Sequence, residues 1–289
     1  MIQSLQKLFH QWNKRYLSPL GRITVIKTFA LSKLNHLFLS LPLPDKKYMK
    51  QIESMFYKFI WDNKPDKIKR TTLTKDFLHG GLNMIDLTNF ASGMKITWIR
   101  QMYKNPDLPW VLLARSYLGP IHKIFTLGYS YSFKLSRKIN NKFWSQTLEC
   151  WSQLVRELPT TNLCDKLSIP MWYNPLISKS DFYFPNWHSK GVLSIADLLS
   201  SDGQFISLED VRLCYNIKTN FLEYHRVMTN VKVYLRKLQV CSAAHTKPIL
   251  PIQIKILTKS KRGCKDFYSI FRNKNIESEI SYYSFWKMP

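Results

Sequence analysis

Residues 12–34, WNKRYLSPLGRITVIKTFALSKL, decide the fold class. Ser18 is a good N-cap, and Pro19 is a natural first helical residue because the N–H it lacks would go unpaired there anyway. A helix starting at Pro19 puts Ile23, Ile26, Ala30, Leu34 and Leu37 on one apolar side. It is predicted to run to about Ser40, before Pro42 and Pro44 end it. Arg22 and Lys33 are eleven residues apart, about three turns, and so share a face, while Lys27 points elsewhere.

The same periodicity continues on both sides. Ile2, Leu5, Leu8, Phe9, Trp12 and Tyr16 recur at helical spacing over residues 2–16. Tyr48, Ile52, Met55, Phe56, Phe59 and Ile60 form the cleanest stripe, on a helix that stops near Trp61, ahead of Pro65. A basic loop follows with Lys64, Lys67, Lys69 and Arg70, then a turn at Gly80-Gly81 where a left-handed conformation is expected. A small β-hairpin is expected around 68–84. A fourth helix over 88–104, capped by Thr88, turns Phe90, Ala91, Met94, Trp98, Ile99 and Met102 inward.

From Asn105 prolines, glycines and aromatics become common through about Ser130, which places a soft boundary there. Residues 137–157 read as a helix carrying Ile139, Phe143, Leu148, Trp151 and Leu154, and 168–205 as irregular and aromatic-rich. Ser207 with Asp210 is a capping box opening a short helix to about Tyr215. Thr219 caps a longer helix with Phe221, Tyr224, Met228, Val231 and Leu235 on one side. The expected fold is mainly α, with domains at 1–104 and 105–240 and a basic, partly disordered tail at 241–289.

Composition narrows the function classes. With 45% hydrophobic and 14% aromatic residues in 289, the chain has enough apolar material for a core. No 18-residue apolar run is present, so no membrane span is expected, and the N-terminus lacks the blocks of a signal peptide. Lys and Arg number 43 against 19 Asp and Glu, a net +24, of which +12 lies in 1–104 and +6 in 246–289. A field of this size favours polyanions, nucleic acid first. The five cysteines are widely spaced, which fits reduced thiols in the cytoplasm or nucleus.

The pattern W-x-x-R-x-L-S-x-x-G-R-I-x-x-I-K, carried by Trp12, Arg15, Leu17, Ser18, Gly21, Arg22, Ile23, Ile26 and Lys27, resembles the segment just after the catalytic palm of LINE-type (non-LTR) retrotransposon reverse transcriptases. Phe59-Ile60-Trp61, Lys64, Lys67-Ile68-Lys69-Arg70 and Gly80-Gly81-Leu82 follow in that family's order. Ile169-Pro170-Met171-Trp172-Tyr173-Asn174-Pro175, Trp187 with Gly191, Ile195-Ala196-Asp197-Leu198, and Asp202-Gly203 with Phe205 are similar to its LINE-1-like branch. The resemblance spans about Trp12 to Leu235. It implies a helical thumb at 1–104 and a connection or wrist domain at 105–240. It also implies that the frame is truncated at both ends.

The family's catalytic aspartates lie upstream of this pattern, and the chain has no Asp-Asp dipeptide to hold two divalent ions. No Walker loop, H-E-x-x-H or G-x-S-x-G occurs either. Cys241, His245 and Cys264 make only a thin zinc pattern. No catalytic residue, metal or cofactor is therefore expected, and the chain is not expected to be an enzyme. The expected partner is RNA or an RNA–DNA hybrid, held by phosphate contacts from Arg15, Arg22, Lys27, Lys33, Lys64, Lys67, Lys69 and Arg70. An upstream palm or endonuclease portion of the same ancestral polyprotein is a further expected partner. Trp12, Gly21, Trp61, Gly80, Gly81 and Trp172 are expected to be structural. The alternative is a domesticated or decayed remnant acting as a basic nucleic-acid or protein interaction module.

Overall fold

The computed structural model describes residues 1–158, 160, 162–179, 182–200, 203–237, 250–261 and 263–273. The fold is mainly α, and among the described residues extended pairing is confined to two isolated bridges, Pro170 with Ser194 and Leu199 with Phe205. The chain forms two units: Met1–Trp98 with residues 263–273, and Ile99–Lys261.

In the first unit α1 (Ile2–Asn13) buries Leu5, Leu8 and Phe9 and stops three residues short of Tyr16, which is fully exposed. In α2 (Pro19–Val25), the Ser18 hydroxyl accepts from the Gly21 N–H at 3.2 Å. A π turn at Ile26–Ala30 then leads into α3 (Leu31–Ser40), with the Leu31 N–H donating to the Ile26 carbonyl. A π turn inserts one residue into the 3.6-residue repeat and rotates everything after it. The core stripe is therefore Ile23, Ile26, Ala30, Leu34 and Phe38, with Leu37 displaced to the flank. The same slip separates Arg22 from Lys33: Arg22 is buried and Lys33 exposed.

In α4 (Lys46–Ile60) Met49, Ile52, Phe56, Tyr57, Phe59 and Ile60 are buried, whereas Tyr48 is 52% exposed. Phe9 of α1 stacks on Phe59 at 4.5 Å and meets Phe56 edge-on at 5.9 Å. The hairpin expected at 68–84 is instead α5 (Arg70–Thr74) and a 3-10 turn at Phe77–His79. Backbone bonds fold it back on itself, the N–H groups of Leu82 and Met84 both donating to the Leu73 carbonyl.

The next helix, α6 (Leu87–Lys104), starts one residue early, because the Asp86 carboxylate and not Thr88 accepts the Asn89 N–H, at 2.9 Å. Its residues through Trp98 belong to the first unit. Lys95 is fully buried there, donating to the Leu41 carbonyl, and Trp98 Nε1 donates to the Leu39 carbonyl at 2.9 Å.

The second unit holds α7 (Pro109–Leu118), α8 (Ile121–Thr126), α9 (Tyr129–Lys138) and α10 (Lys142–Arg156). The single helix expected over 137–157 thus begins five residues late. Ile139 lies in the turn between α9 and α10, and Asn141 caps α10 through the Trp144 N–H. The Ser152 hydroxyl donates to the Tyr129 carbonyl at 2.9 Å, joining the end of α10 to the start of α9, so the pair is an antiparallel helical hairpin.

Next come α11 (Leu163–Leu167) and α12 (Pro185–Ser189). Around α12 the irregular stretch packs on Trp172, fully buried, with Phe182, Phe184 and Trp187 against it and Nε1 donating to the Val192 carbonyl. A capping box at Ser207 and Asp210 opens α13 (Leu208–Tyr215). For α14 (Phe221–Lys237) the cap is Asn220, not Thr219: Asn220 accepts the Glu223 N–H at 2.8 Å. Phe221 is 62% exposed, and Val227, Met228, Val231 and Tyr234 form the buried face.

The segment expected as a loose tail is anchored over its described residues. In the second unit α15 (Ile252–Lys259) is tied by Gln253 to the Leu127 carbonyl at 3.1 Å and by Lys255 to Asp165 at 2.8 Å. In the first unit a last helix, α16 (residues 264–273), buries Phe267 and Phe271. There the Tyr268 hydroxyl accepts the Asp86 N–H at 3.1 Å, and Arg272 donates to Asn83 at 2.9 Å. Asp202, Cys241 and His245 lie outside the described residues.

Candidate nucleic-acid interface

The sharpest concentration of exposed positive charge in the first unit begins where α4 ends. Trp61, 7% exposed, anchors the end of the helix. Asp62 and Asn63 then take left-handed φ angles of 54° and 59°, which short polar side chains tolerate. The Asn63 N–H donates to the Lys58 carbonyl at 2.8 Å and the Lys64 N–H to the Trp61 carbonyl at 3.0 Å, which closes the reversal.

The far end of the loop is pinned too. Arg70 donates to Asp66 at 2.7 Å, and its guanidinium lies 4.3 Å from the centre of the Tyr57 ring on α4. Between these pins Lys64, Lys67 and Lys69 are exposed and form no ion pair with any described residue. The loop is a fixed frame holding uncommitted ammonium groups, the arrangement that phosphate contacts need.

The other expected contacts do not join them. Arg22 is a buried structural group, its guanidinium donating to the Phe59 carbonyl at 2.6 Å and to Asn13 at 2.9 Å. Lys27 is half-buried, and burial followed by the Arg272 charge pulls its ammonium below the ordinary lysine range. Arg15 lies over Trp12 at 4.5 Å, and Lys33 donates to Ser4 at 3.1 Å. Both are exposed, but they sit at opposite ends of α1, so they do not form one patch.

The residues expected to be structural separate by cause. Trp12 is half-buried and tilted on Phe29 at 5.2 Å. A Cβ on Gly21 would meet only ordinary contacts, at 3.6 Å from Leu17 and Ser18, so the cap needs its N–H and not its missing side chain. Gly80 has φ +73° in open space. Gly81 lies against backbone.

Three cations that the apolar reading of α4 passed over extend the basic strip. Lys47 and Lys58 are eleven residues apart, on one exposed side with Lys50 nearby. The signal was present in the spacing that located the apolar stripe.

Among the described residues no group of three or more His, Cys, Asp or Glu side chains is placed to hold a metal. Burial pushes the Cys264 thiol up to about 12, and it donates to the Phe90 carbonyl, so it is a poor ligand. In the second unit His188 stacks on His122 at 6.2 Å, with Nε2 2.8 Å from the Thr126 hydroxyl. That hydroxyl already donates to the His122 carbonyl, which makes His188 Nε2 the donor.

Burial, then the charges of His122 and Lys123, push His188 down from 6.5 to about 4. The neutral ring's contribution to stability is therefore complete above pH 6.5 and is lost as pH falls toward about 4. The melting temperature is expected to drop between pH 7 and pH 5, and to drop less in His188→Gln; an equal drop in both would refute the assignment.

No family model matches the chain.

Proposed function

We propose that this chain is the thumb and connection part of a LINE-type reverse transcriptase, and that it grips RNA or an RNA–DNA hybrid through backbone phosphates without chemistry of its own. The palm that would supply the metal-binding aspartates is a separate portion of the same ancestral polyprotein. The observation that carries the reading is the pinned loop 62–70, with Lys64, Lys67 and Lys69 uncommitted beside the exposed Lys58. A near A-form duplex is recognised by shape and phosphates, so a rigid cationic edge is sufficient and base-reading side chains are not needed. Among the described residues no helix is long and apolar enough to cross a membrane. On this reading the chain works in the cytoplasm or nucleus.

The test is binding of the full chain to an RNA–DNA hybrid across a salt series. Substituting Lys64, Lys67 and Lys69 together by alanine is expected to weaken binding at least about tenfold and to reduce the salt slope by about 2–3. Unchanged affinity and slope would overturn the interface. Polymerase activity from the chain alone would overturn the non-catalytic reading. Salt-insensitive binding to a protein would turn the assignment to a host interaction module.

A further inference from the structure

The hairpin of α9 and α10 in the second unit borders a groove of about 590 Å³, to which the quoted motifs contribute Pro175 alone among its lining residues. Phe133 and Arg137 of α9 face it, as do Glu149, Gln153 and Arg156 of α10. Residues 130, 133 and 137 follow one stripe and 149, 153 and 156 another, so α10 presents a polar edge to the groove and α9 an edge of Ser130, Phe133 and Arg137. Because the helices are antiparallel, Arg137 stands near the turn and Arg156 at the opposite end. Seven residues of helix separate Arg137 from Ser130 at the Arg156 end, about 10 Å of groove.

The side chains are available. Arg137 lies over the Phe133 ring at 4.7 Å and has no carboxylate partner among the described residues. Arg156 is paired with Glu157 at a long 3.5 Å, and its own side chain is 57% exposed, so its guanidinium still opens to the groove. Glu149 is exposed and forms no ion pair with any described residue, although two arginines line the same groove.

We infer that this groove binds single-stranded RNA, with Arg137 and Arg156 on backbone phosphates at its two ends and a guanine stacked on the Phe133–Arg137 platform. Two packed helices with axes about 8–10 Å apart leave a channel too narrow for a duplex. An aromatic ring with a guanidinium on it is a stacking surface for an unpaired base. Glu149 would repel a phosphate at the centre, and as an acceptor-only group it selects base donors. Guanine presents two adjacent donors, N1–H and the N2 amino group, to the two carboxylate oxygens; uracil presents one. An acidic peptide would satisfy the arginines but would bring its charge against Glu149 and leave the ring unused.

The inference rests on the nucleic-acid reading above but uses residues distant in sequence from the lysine loop. The test measures the full chain against short single-stranded RNAs, one of alternating guanine and uracil and one of uracil alone, beside the RNA–DNA hybrid. Arg137→Ala with Arg156→Ala is expected to weaken single-strand binding about tenfold or more and leave hybrid binding unchanged. Glu149→Gln is expected to abolish the preference for the guanine-containing strand, with little change in salt slope. The substituted side chains are exposed, and thermal melting of each variant checks that it folds. Hybrid binding that depends on the lysine loop, with single-strand binding indifferent to both arginines, would overturn this inference alone. Absence of binding to any of the nucleic acids would overturn both readings. Preferential binding of an acidic peptide that needs Arg137 and Arg156 would overturn the RNA assignment.

Discussion

Arg22→Ala is expected to cost the first unit about 3 kcal/mol of stability while leaving the RNA affinity of the folded protein unchanged. The guanidinium is buried and joins three places. It donates to the Phe59 carbonyl at the end of α4, to the Asn13 side chain at the end of α1, and more weakly to the Leu17 carbonyl at 3.4 Å in the turn between α1 and α2. The last carbonyls of a helix have no partner within it, so removing Arg22 takes the short, charged donor from the buried Phe59 carbonyl and leaves it the long contact from the Asp62 N–H at 3.4 Å.

The ion pair with Asp62, 3.4 Å away, is the smaller part, because that carboxylate is 57% exposed and screened by water. The loss should therefore depend little on salt. Arg22→Lys should recover only part of it, since one ammonium cannot reproduce a planar fork reaching Asn13 and Phe59 together. Urea unfolding with hybrid binding on the same samples checks both halves. Unchanged stability with weakened binding would return Arg22 to the interface.

Gly81→Ala is expected to be as damaging, at about 3 kcal/mol or a fall in Tm of roughly 6–12 °C. A Cβ built on Gly81 falls 2.1 Å from the Lys75 carbonyl oxygen and 2.6 Å from that of Thr72. Both atoms are backbone, so no side chain can swing aside, and the fold-back of α5 onto residues 81–84 must open. Leu73 and Met84, each 1% exposed, would lose their packing with it.

Gly80→Ala is the control. Its φ of +73° disfavours any side chain, but nothing lies within 4 Å, so the expected cost is only about 1–2 kcal/mol. Circular dichroism melts of the two variants decide the point. Equal, small losses would mean that the backbone at Gly81 is not as closely packed as described.

The sequence by itself determined that this protein is helical, and where several helices begin. Ser18 with Pro19, and Ser207 with Asp210, are local signals whose hydrogen bonds close within three residues. The apolar stripe of α4 was legible for the same reason, since an uninterrupted helix keeps its spacing from end to end. The basic loop could be read from its composition alone.

What only the tertiary structure decided are the features whose cause lies far along the chain. The π turn at Ile26–Ala30 leaves no mark in the spacing, yet it rotates α3 and puts Arg22 and Lys33 in different environments. Whether an arginine serves phosphate or fold depends on what faces it, and for Arg22 that is the Phe59 carbonyl, 37 residues away. Lysine-rich residues 250–273 read as a tail until Phe267 and Phe271 were buried and Lys255 met Asp165, 90 residues earlier. A charged side chain carries the same letters whether it is solvated or spent. The distant groups packed against it settle which, and only folding brings them together.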